Sequence, residues 1–361
     1  MAAPHSYDVA VIGGGPIGLA SAWRAAQRGM RVVVFDDGRP GAWHVAAGML
    51  APVAEAEFGE RDLLELGLRS AAAYEAFCGE LSVPLRTRGT LVVARDADEA
   101  EALDRLHAFR RKLELQAERL RPSQARRLEP ALAPTVRLAL AVEGDHSVDP
   151  RRLVAALREA ARDAGVAFRG AACAVRAHRD RVTGVDDVVA GAVVVAAGVG
   201  VARLDVPERI PVRPVKGQVL RLRDPRGPGL VDRTIRGEHA YLVPRDDGTY
   251  VLGATMEERR DTAPTAGGVY ELVRDMSEVV PGVLELEIEA VLGGLRPATP
   301  DNLPAIGRGG VENLVWATGH FRNGILLTPV TAELVAAALA GEAAPEWAAP
   351  ADPRRFTRVA A

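Results

Sequence analysis

The sequence has few cysteines and few aromatic residues, and neither sign of charge dominates it. Its 361 residues include only two cysteines, Cys78 and Cys173, and no CxxC spacing, which argues against a zinc site or a redox pair. We expect both thiols to be free and buried. A net charge of −3 argues against the concentrated basic face that nucleic acids and anionic membranes require.

Long hydrophobic runs are also missing. The longest uncharged run covers residues 188–202, is rich in glycine, and falls short of the ~20 residues that span a bilayer. We predict a buried strand and turn there. The N-terminus lacks a basic segment followed by an apolar one, so we expect no signal peptide and a cytoplasmic location.

A dinucleotide-binding pattern stands near the start of the chain. The apolar run at 7–12 predicts a buried strand, and Gly13, Gly15 and Gly18 form G-x-G-x-x-G. The segment 16–29 then predicts a helix. Such glycines let a pyrophosphate approach the backbone at the positive end of the helix.

A second predicted strand, 31–37, completes this pattern. It ends in Asp36 and Asp37, where an acid can accept a hydrogen bond from a ribose hydroxyl. Both NAD and FAD are bound by this arrangement, so the motif alone leaves the choice between them open.

The remaining chain alternates between helix and strand patterns. Helices are predicted at 60–81, 99–120, 150–165, 265–280 and 325–341. Strands are predicted at 87–94, 166–187 (several short ones), 193–198, 215–223 (half-buried), 239–255 (a hairpin), 284–292 and 314–319. This order indicates an α/β nucleotide-binding core made of discontinuous pieces, with a mostly antiparallel second domain inserted.

Six further segments carry longer motifs. They are HVAAGMLAP (44–52), VRPVKGQ (212–218), YLVPR (241–245), GATMEE (253–258), GLRPATPDNLPAIG (294–307) and GHFRNGILLTP (319–329). With the glycine motif, they resemble the D-amino acid oxidase family of flavoproteins over nearly the whole chain. Within it, they are most similar to the glycine oxidase type associated with thiazole biosynthesis.

The resemblance implies a fold, a cofactor and a reaction. It implies a GR2-type, Rossmann-like domain with non-covalent FAD, formed by 1–84, 145–212 and 302–361. The substrate domain would comprise 85–144 and 213–301. The implied reaction oxidises glycine, sarcosine or small D-amino acids by hydride transfer from the α-carbon to flavin N5. In this reaction the imine would hydrolyse to the oxo acid and oxygen would become hydrogen peroxide. The resemblance also implies a homotetramer.

Three alternatives stay open. One keeps the fold but passes electrons to a different acceptor, as a dehydrogenase does. Another keeps the fold but oxidises a larger secondary amine or a modified nucleoside. The third is a nucleotide-binding regulator without turnover. The absence of a Ser-His-Asp set, an HExxH motif or a P-loop agrees with a mechanism driven by the cofactor.

The resemblance also assigns the cofactor contacts, from the phosphate turn to the flavin edge. These residues are Gly13, Gly15, Pro16, Ile17 and Gly18; Asp36 and Asp37; Ala42, Trp43, Ala47, Gly48 and Met49; Val175 and Gly198; and His320, Phe321, Arg322, Asn323, Gly324, Ile325 and Leu326. The run AWHV at 42–45 departs from the family's usual polar segment. Asp36 stands where glutamate is more frequent.

Arg296 and Tyr241 are the candidate catalytic residues. Arg296 lies among glycines, Leu295 and Pro297, which is an unusual setting for a surface charge. An arginine fork holds a carboxylate with two parallel hydrogen bonds. We hypothesise that Arg296 pairs with the substrate carboxylate and that Tyr241 donates a second bond. The alternatives are a structural salt bridge and a core tyrosine.

Four more residues are substrate-binding candidates. Met49 and Met256 would line the pocket, with core packing as the alternative. His239 precedes Tyr241 by two residues and shares its face in a regular strand, although a structural histidine is the favoured interpretation. Arg322 would act through its backbone at the flavin edge, or its side chain would pair with an acid. A helix beginning at Asn323 would point its positive end at the flavin.

Overall fold

The structure is a computed structural model that describes residues 6–356. Its helices are α1 (Pro16–Gln27), α2 (Arg61–Glu80), α3 (Ala97–Lys112), α4 (Pro122–Leu128), α5 (Pro150–Asp163), α6 (Ala266–Ser277) and α7 (Thr328–Ala340). Short 3-10 helices cover Ala42–His44, Gly198–Arg203, Pro281–Glu285, Phe321–Asn323, Glu346–Ala351 and Pro353–Arg355.

The strands form two large sheets and one small one. They are β1 (Ser6–Ile12), β2 (Val32–Phe35), β3 (Met49–Leu50), β4 (Leu85–Arg86), β5 (Thr90–Ala94), β6 (Glu118–Leu120), β7 (Leu138–Val142), β8 (His146–Val148), β9 (Ala167–Arg169), β10 (Val175–His178), β11 (Arg181–Val185), β12 (Val188–Val195), β13 (Arg213–Arg223), β14 (Thr234–Arg236), β15 (Tyr241–Pro244), β16 (Thr249–Gly253), β17 (Glu287–Ala298), β18 (Ala305–Arg308) and β19 (Leu314–Thr318). The small sheet joins β3, β8 and β4.

The first large sheet has a parallel centre. Its order is β10-β11-β12-β1-β2-β9, with β19 also beside β12 and β18 beside β19. The pairs β12–β1, β1–β2, β2–β9 and β12–β19 are parallel. Apolar residues of α1, α5 and α7 pack with the centre of this sheet in one core. The parallel strands therefore end at one shared edge, where an α/β fold places a ligand.

The second large sheet is mostly antiparallel. Its order is β17-β13-β16-β15-β14-β5-β7-β6, and β14–β5 is a parallel pair. Helix α6 packs on one face through Leu272 and Met276, in a core shared with Leu220 and Leu242 of the sheet. The opposite face carries Val219, Val243 and other residues that pack against the loop at 42–49. This second face, which α6 does not cover, is therefore the one that can contribute to a binding site.

The predicted fold class is confirmed. The architecture is α/β, with a parallel-centred sheet beside a mostly antiparallel one. The second sheet takes its strands from 90–142 and 213–298, whereas the first takes them from segments before, between and after these. The assignment of cofactor and substrate roles to these segments stays a prediction.

Helix ends follow the predicted signals at α1 and α5. Asp149 accepts hydrogen bonds from the backbone N–H groups of Arg151 and Arg152, and Pro150 occupies the first turn. Gly29 and Gly165 follow the two helices in the left-handed region, with φ of 82° and 81°. These local signals suffice because caps and helix-ending glycines act within a few residues.

Two predicted helix boundaries are wrong. The helix predicted at 99–120 ends at Lys112, because Glu114 turns the chain with φ of 58° and β6 then pairs with β7. The helix predicted from Asn323 begins at Thr328, with a 3-10 helix and a turn before it.

Two burial predictions are also corrected. Strand β13 is buried on both faces rather than half-buried, because α6 covers one face and the site the other. Cys78 is buried as expected, but Cys173 is exposed; both are free.

No helix within residues 6–356 combines the length and apolarity that a membrane crossing requires.

Candidate active site

A large cavity of about 1050 Å³ joins the two sheets. It runs from the ends of β1 and β2, at Ile12 and Phe35, to Tyr241 and Arg296 on the second sheet. The volume reaches the upper end of the range for ligand pockets, which extends to roughly 1,000 Å³. It is large enough for an extended cofactor and a small substrate together.

Most of the predicted site residues line this cavity. They are Gly13, Gly15, Pro16, Ile17, Asp36, Asp37, Ala42, Trp43, Ala47, Gly48, Met49, Gly198, His239, Tyr241, Met256, Arg296, His320, Phe321, Arg322, Gly324 and Ile325. Gly18, Val175, Asn323 and Leu326 lie outside the lining. Gly18 packs against the Gly13 carbonyl, and the backbone N–H of Val175 donates a hydrogen bond to the carbonyl of Asp205.

The N-terminus of α1 opens into the cavity without a protein cap. Gly15 occupies the cap position and has no side chain that could cap the helix. No acid stands in the first turn. The first N–H groups of a helix have no partner within it, and the helix dipole makes this end positive. Gly15 is not crowded on its side-chain side, since a Cβ added there would make only an ordinary contact with the Trp43 ring, 3.7 Å away. The arrangement fits the diphosphate of FAD.

Asp36 stands at the carboxyl end of β2, where the adenosine ribose is expected. Its carboxylate contacts the guanidinium of Arg158 from α5, and Arg158 also reaches the Gly14 carbonyl at 3.5 Å. Sequence reasoning missed Arg158 because it lies 122 residues from Asp36 and has no motif around it. The ion pair holds Asp36 in place at the ribose end of the cavity.

His320 reaches the cavity through its backbone, whereas its ring points into the protein. The ring nitrogen Nε2 lies 3.0 Å from Thr331 Oγ1 in α7. Burial lowers the pKa of His320 to about 3, so the ring is neutral at physiological pH. His320 is therefore a fixed part of the wall and not an acid–base group.

We expect the stability of the protein, relative to a His320→Gln variant, to fall by about 2 kcal/mol between pH 7 and pH 5. The folded-state pKa of about 3 lies below the ordinary value of 6.5, so only the unfolded chain binds a proton between these values. The contribution is present above pH 6.5 and is lost as the pH falls toward 3. Urea unfolding at pH 7, 6 and 5, with a fixed excess of FAD, measures it. A constant difference between the two proteins would contradict the prediction.

Arg296 lies on β17 with its guanidinium in the cavity. It donates to the carbonyls of Lys216 at 3.3 Å and Thr255 at 3.1 Å, and it makes no ion pair within residues 6–356. Burial lowers its pKa, and the nearby Tyr241 partly opposes this effect. The structural salt bridge considered for Arg296 is therefore absent from the described part of the chain. A buried cation of this kind calls for an anionic ligand.

Two glycines make room for the candidate catalytic side chains. Gly217 lies beneath the Arg296 guanidinium, and any Cβ there would collide with it. Gly253 lies beside Tyr241 on the neighbouring strand, and a Cβ there would come within 2.7 Å of its hydroxyl oxygen. The side chains of Arg296 and Tyr241 thus lie over adjacent strands on the same face. Burial raises the pKa of Tyr241, which keeps its hydroxyl protonated as a donor.

An ion pair that sequence reasoning missed also lines the substrate end. Arg236 of β14 stands directly across from Tyr241 in the sheet and pairs with Glu55 at 2.8 Å. The turn that carries Glu55 is held by Asp145, which accepts hydrogen bonds from Val53 and Ala54. The pair places one carboxylate among the cations of this end. Its partners are 181 residues apart, and no local pattern marks them.

The other substrate candidates line the same end with different exposure. Met256 is 59% exposed, so core packing is the wrong interpretation for it, while Met49 is partly buried against the sheet face. His239 precedes the regular part of β15, is exposed beside Glu238, 3.5 Å away, and lines the cavity, so its role in substrate binding stays a prediction.

Arg322 keeps a buried Nε without a hydrogen-bond partner, and its guanidinium lies 5.6 Å from the centre of the Phe321 ring. The acid partner suggested for it is not among the described residues: Arg322 forms no ion pair within 6–356. Burial has the largest effect on the pKa of Arg296 and lowers it. Tyr241 raises this pKa, and the positive charge of Arg322 lowers it further. Three guanidinium groups therefore share this end of the cavity, those of Arg236, Arg296 and Arg322, and only Arg236 has an acidic partner within residues 6–356. No cluster of metal-binding side chains occurs within residues 6–356.

Comparisons with known proteins agree with this geometry. The family model for FAD dependent oxidoreductases, DAO, matches residues 8–338. The glycine oxidase of Geobacillus kaustophilus is 35% identical over 351 residues, covering 92% of each chain. A crystal structure of glycine oxidase from Geobacillus kaustophilus superimposes with a TM-score of 0.90 at 33% identity, covering 97% of this chain and 99% of that one.

Two other relatives are informative. The bifunctional protein ThiO/ThiG of Synechocystis sp. is 34% identical over 348 residues, which are 91% of this chain and 51% of the relative, so this chain spans about half of that protein. The crystal structure of iminodiacetate oxidase from Chelativorans sp. has a TM-score of 0.88 at 26% identity, covering 96% of this chain and 98% of that one.

Proposed function

The chain belongs to the family of FAD dependent oxidoreductases, and we propose that within it the protein oxidises glycine and related small amines, with oxygen as the electron acceptor. It is an FAD-dependent amino acid oxidase. The observation that supports an amino acid substrate is Arg296, a cation without an acidic partner in the described chain, beside the Tyr241 hydroxyl, since together they can hold a carboxylate. Sarcosine and small D-amino acids are the next candidates.

The protein groups act mainly by positioning. The fork of Arg296 binds the substrate carboxylate, and the protonated Tyr241 hydroxyl donates a further hydrogen bond to it. Together they fix the orientation of the α-carbon. When bound, FAD supplies the two-electron oxidant that accepts a hydride from that carbon. The uncapped α1 N-terminus would hold its diphosphate and Asp36 its ribose, and we expect no covalent link.

An anaerobic titration tests this function. The FAD-loaded protein is mixed with glycine, sarcosine, D-alanine and L-alanine without oxygen, and the loss of flavin absorbance at 450 nm is followed; air is then admitted. We expect bleaching by glycine and stoichiometric peroxide on re-oxidation. Bleaching without peroxide would favour a dehydrogenase, and no bleaching by any amine would favour a non-catalytic role.

A second candidate substrate is a glycine that carries a carboxymethyl group, and so a second carboxylate, on its nitrogen, as iminodiacetate does. Arg322 favours it, because its guanidinium has no acidic partner in residues 6–356 and lies close enough to Arg296 to lower its pKa. The iminodiacetate oxidase among the structural relatives makes this chemistry reasonable for the fold.

We expect Arg322→Gln to lower kcat/KM for iminodiacetate at least tenfold more than for glycine, because a buried charge pair contributes roughly 2–5 kcal/mol. Steady-state oxygen consumption with both substrates measures this. No effect on either substrate would leave Arg322 acting through its backbone, whereas an equal loss on both would assign its side chain a role common to the two substrates, such as flavin binding. No turnover of iminodiacetate by the unchanged protein would remove this candidate.

We further propose that the protein supplies a glycine-derived imine for thiazole synthesis. Two observations support this role: the resemblance of its motifs to the glycine oxidase type, and its similarity to the ThiO/ThiG protein. A cytoplasmic homotetramer is part of the same proposal. Complementation of a thiazole-requiring bacterium and light scattering of the purified protein test the two points separately.

A further inference from the structure

A second, small cavity lies behind the loop at 42–49. It has a volume of about 10 Å³, close to the space that one water-sized guest needs. Its lining includes three arginines and one histidine, Arg151, Arg221, Arg245 and His44, which we call the arginine pocket. None of these four residues was needed for the proposed reaction.

Among the residues that line the arginine pocket, three arginines stand against one carboxylate, that of Asp149. The guanidinium of Arg221 makes no hydrogen bond within residues 6–356, and its nearest acid is Glu289, 4.0 Å from its Nε. The other oxygen of Glu289 is already paired with Arg223. Glu289 therefore cannot fully compensate the charge of Arg221.

Asp149 is the carboxylate in the lining, and it is also engaged. One of its oxygens accepts the backbone N–H groups of Arg151 and Arg152 as the cap of α5. The other lies 4.0 Å from Nε of Arg245, beyond hydrogen-bond distance. Asp247, in the hairpin turn, is a second negative charge near Arg245, but its carboxylate accepts hydrogen bonds from the backbone N–H and the hydroxyl of Thr249.

The charges act on each other. Burial and then the charge of Arg221 lower the pKa of Arg151. Burial, Arg151 and Arg221, in that order, lower the pKa of His44, and burial lowers the pKa of Arg245 to about 10. Like charges gathered at a partly buried place are costly unless an anion joins them.

The shape of the pocket limits the anion to a small one. Its volume admits one small guest, and Val219, Val251 and Leu292 make part of its lining apolar. We propose that the arginine pocket binds a small monovalent inorganic anion, with chloride as the probe.

Such an anion would also stabilise the cofactor-binding loop. Arg151 donates two hydrogen bonds to the His44 carbonyl, at 3.2 and 3.1 Å, and Arg245 donates to the Ala47 carbonyl. The same loop presents Trp43 and Ala47 to the large cavity. An anion that fixes the two arginines fixes this loop, and FAD binding then orders less of the chain.

The direct test is anomalous diffraction from crystals of the FAD-loaded protein grown with sodium bromide. We expect a bromide peak among Arg151, Arg221 and Arg245. The matched solution test measures the FAD dissociation constant by flavin fluorescence in sodium chloride and in sodium gluconate at equal ionic strength. We expect roughly fivefold tighter FAD binding in chloride, a coupling within the usual range between linked sites.

Two variants separate the pocket from a general salt effect. Arg221→Gln removes a charge that makes no hydrogen bond within the described chain, so the fold should tolerate it, and it should abolish the chloride effect. Arg152→Gln removes the same charge from an exposed neighbour outside the pocket and should retain the effect. No bromide peak in the pocket, or a chloride effect that survives in Arg221→Gln, would overturn the proposal. A peak without any change in FAD affinity would support the site and overturn its coupling to the loop.

Discussion

Replacing Arg296 with lysine is expected to lower kcat/KM for glycine by roughly a hundredfold or more, since the loss of a partner from a buried ionic contact costs about 2–5 kcal/mol. Lysine keeps the positive charge but loses the planar fork that holds a carboxylate with two hydrogen bonds. The carboxylate is bound before and during the reaction, so KM should rise more than kcat falls. Oxygen-consumption kinetics over a range of glycine concentrations measures both constants.

The control is Arg213→Lys on the neighbouring strand. Arg213 pairs with Glu258 outside the cavity, and its replacement makes the same chemical change in the same sheet. It should leave both constants within about twofold, as surface substitutions usually do. Wild-type kcat/KM in Arg296→Lys would show that the fork does not hold the substrate. An equal loss in both variants would point to damage to the sheet.

The local part of the fold was predictable from the sequence. Helix α5 was placed from Asp149, Pro150 and Gly165, each of which acts on backbone groups within a few residues. The same holds for the first strand, helix and second strand around the glycine motif. Signals of this kind need no knowledge of the distant chain.

The chain after Lys112 shows where such signals fail. Charged and leucine residues continue the helical pattern to Leu120, yet β6 forms there because Arg119 pairs opposite Leu140 of β7. The partner strand lies about twenty residues further along the chain, and pairing with it overrides helix propensity. A one-dimensional pattern does not contain that information.

The site divides in the same way. Gly15 and Asp36 belong to a continuous motif and were predictable, whereas Arg158 meets Asp36 only after α5 has packed on the sheet. Arg236 reaches the substrate end because the register of β14 and β15 places it opposite Tyr241. Single polar residues brought together by tertiary structure leave no trace in spacing.

Replacing Gly15 with alanine is expected to weaken FAD binding by more than a hundredfold while leaving the fold of the apoprotein intact. Gly15 has φ of −79° and ψ of 178°, a conformation that alanine adopts freely. A Cβ there meets no protein atom closer than 3.7 Å, so the free protein has room for it. That room is the space in which the diphosphate approaches the backbone N–H groups of α1. The methyl group would separate the phosphates from these donors.

Fluorescence titration of the apoprotein with FAD measures the affinity, and thermal unfolding without FAD measures the fold. Gly79→Ala is the matched control, since Gly79 lies within α2 and a Cβ there meets nothing within 4 Å. Alanine is favoured over glycine inside a helix by roughly 1 kcal/mol, so this control should be slightly more stable and bind FAD normally. Tight FAD binding by Gly15→Ala would place the diphosphate away from the α1 N-terminus. Weak binding with a lowered Tm of the apoprotein would instead assign Gly15 a role in folding.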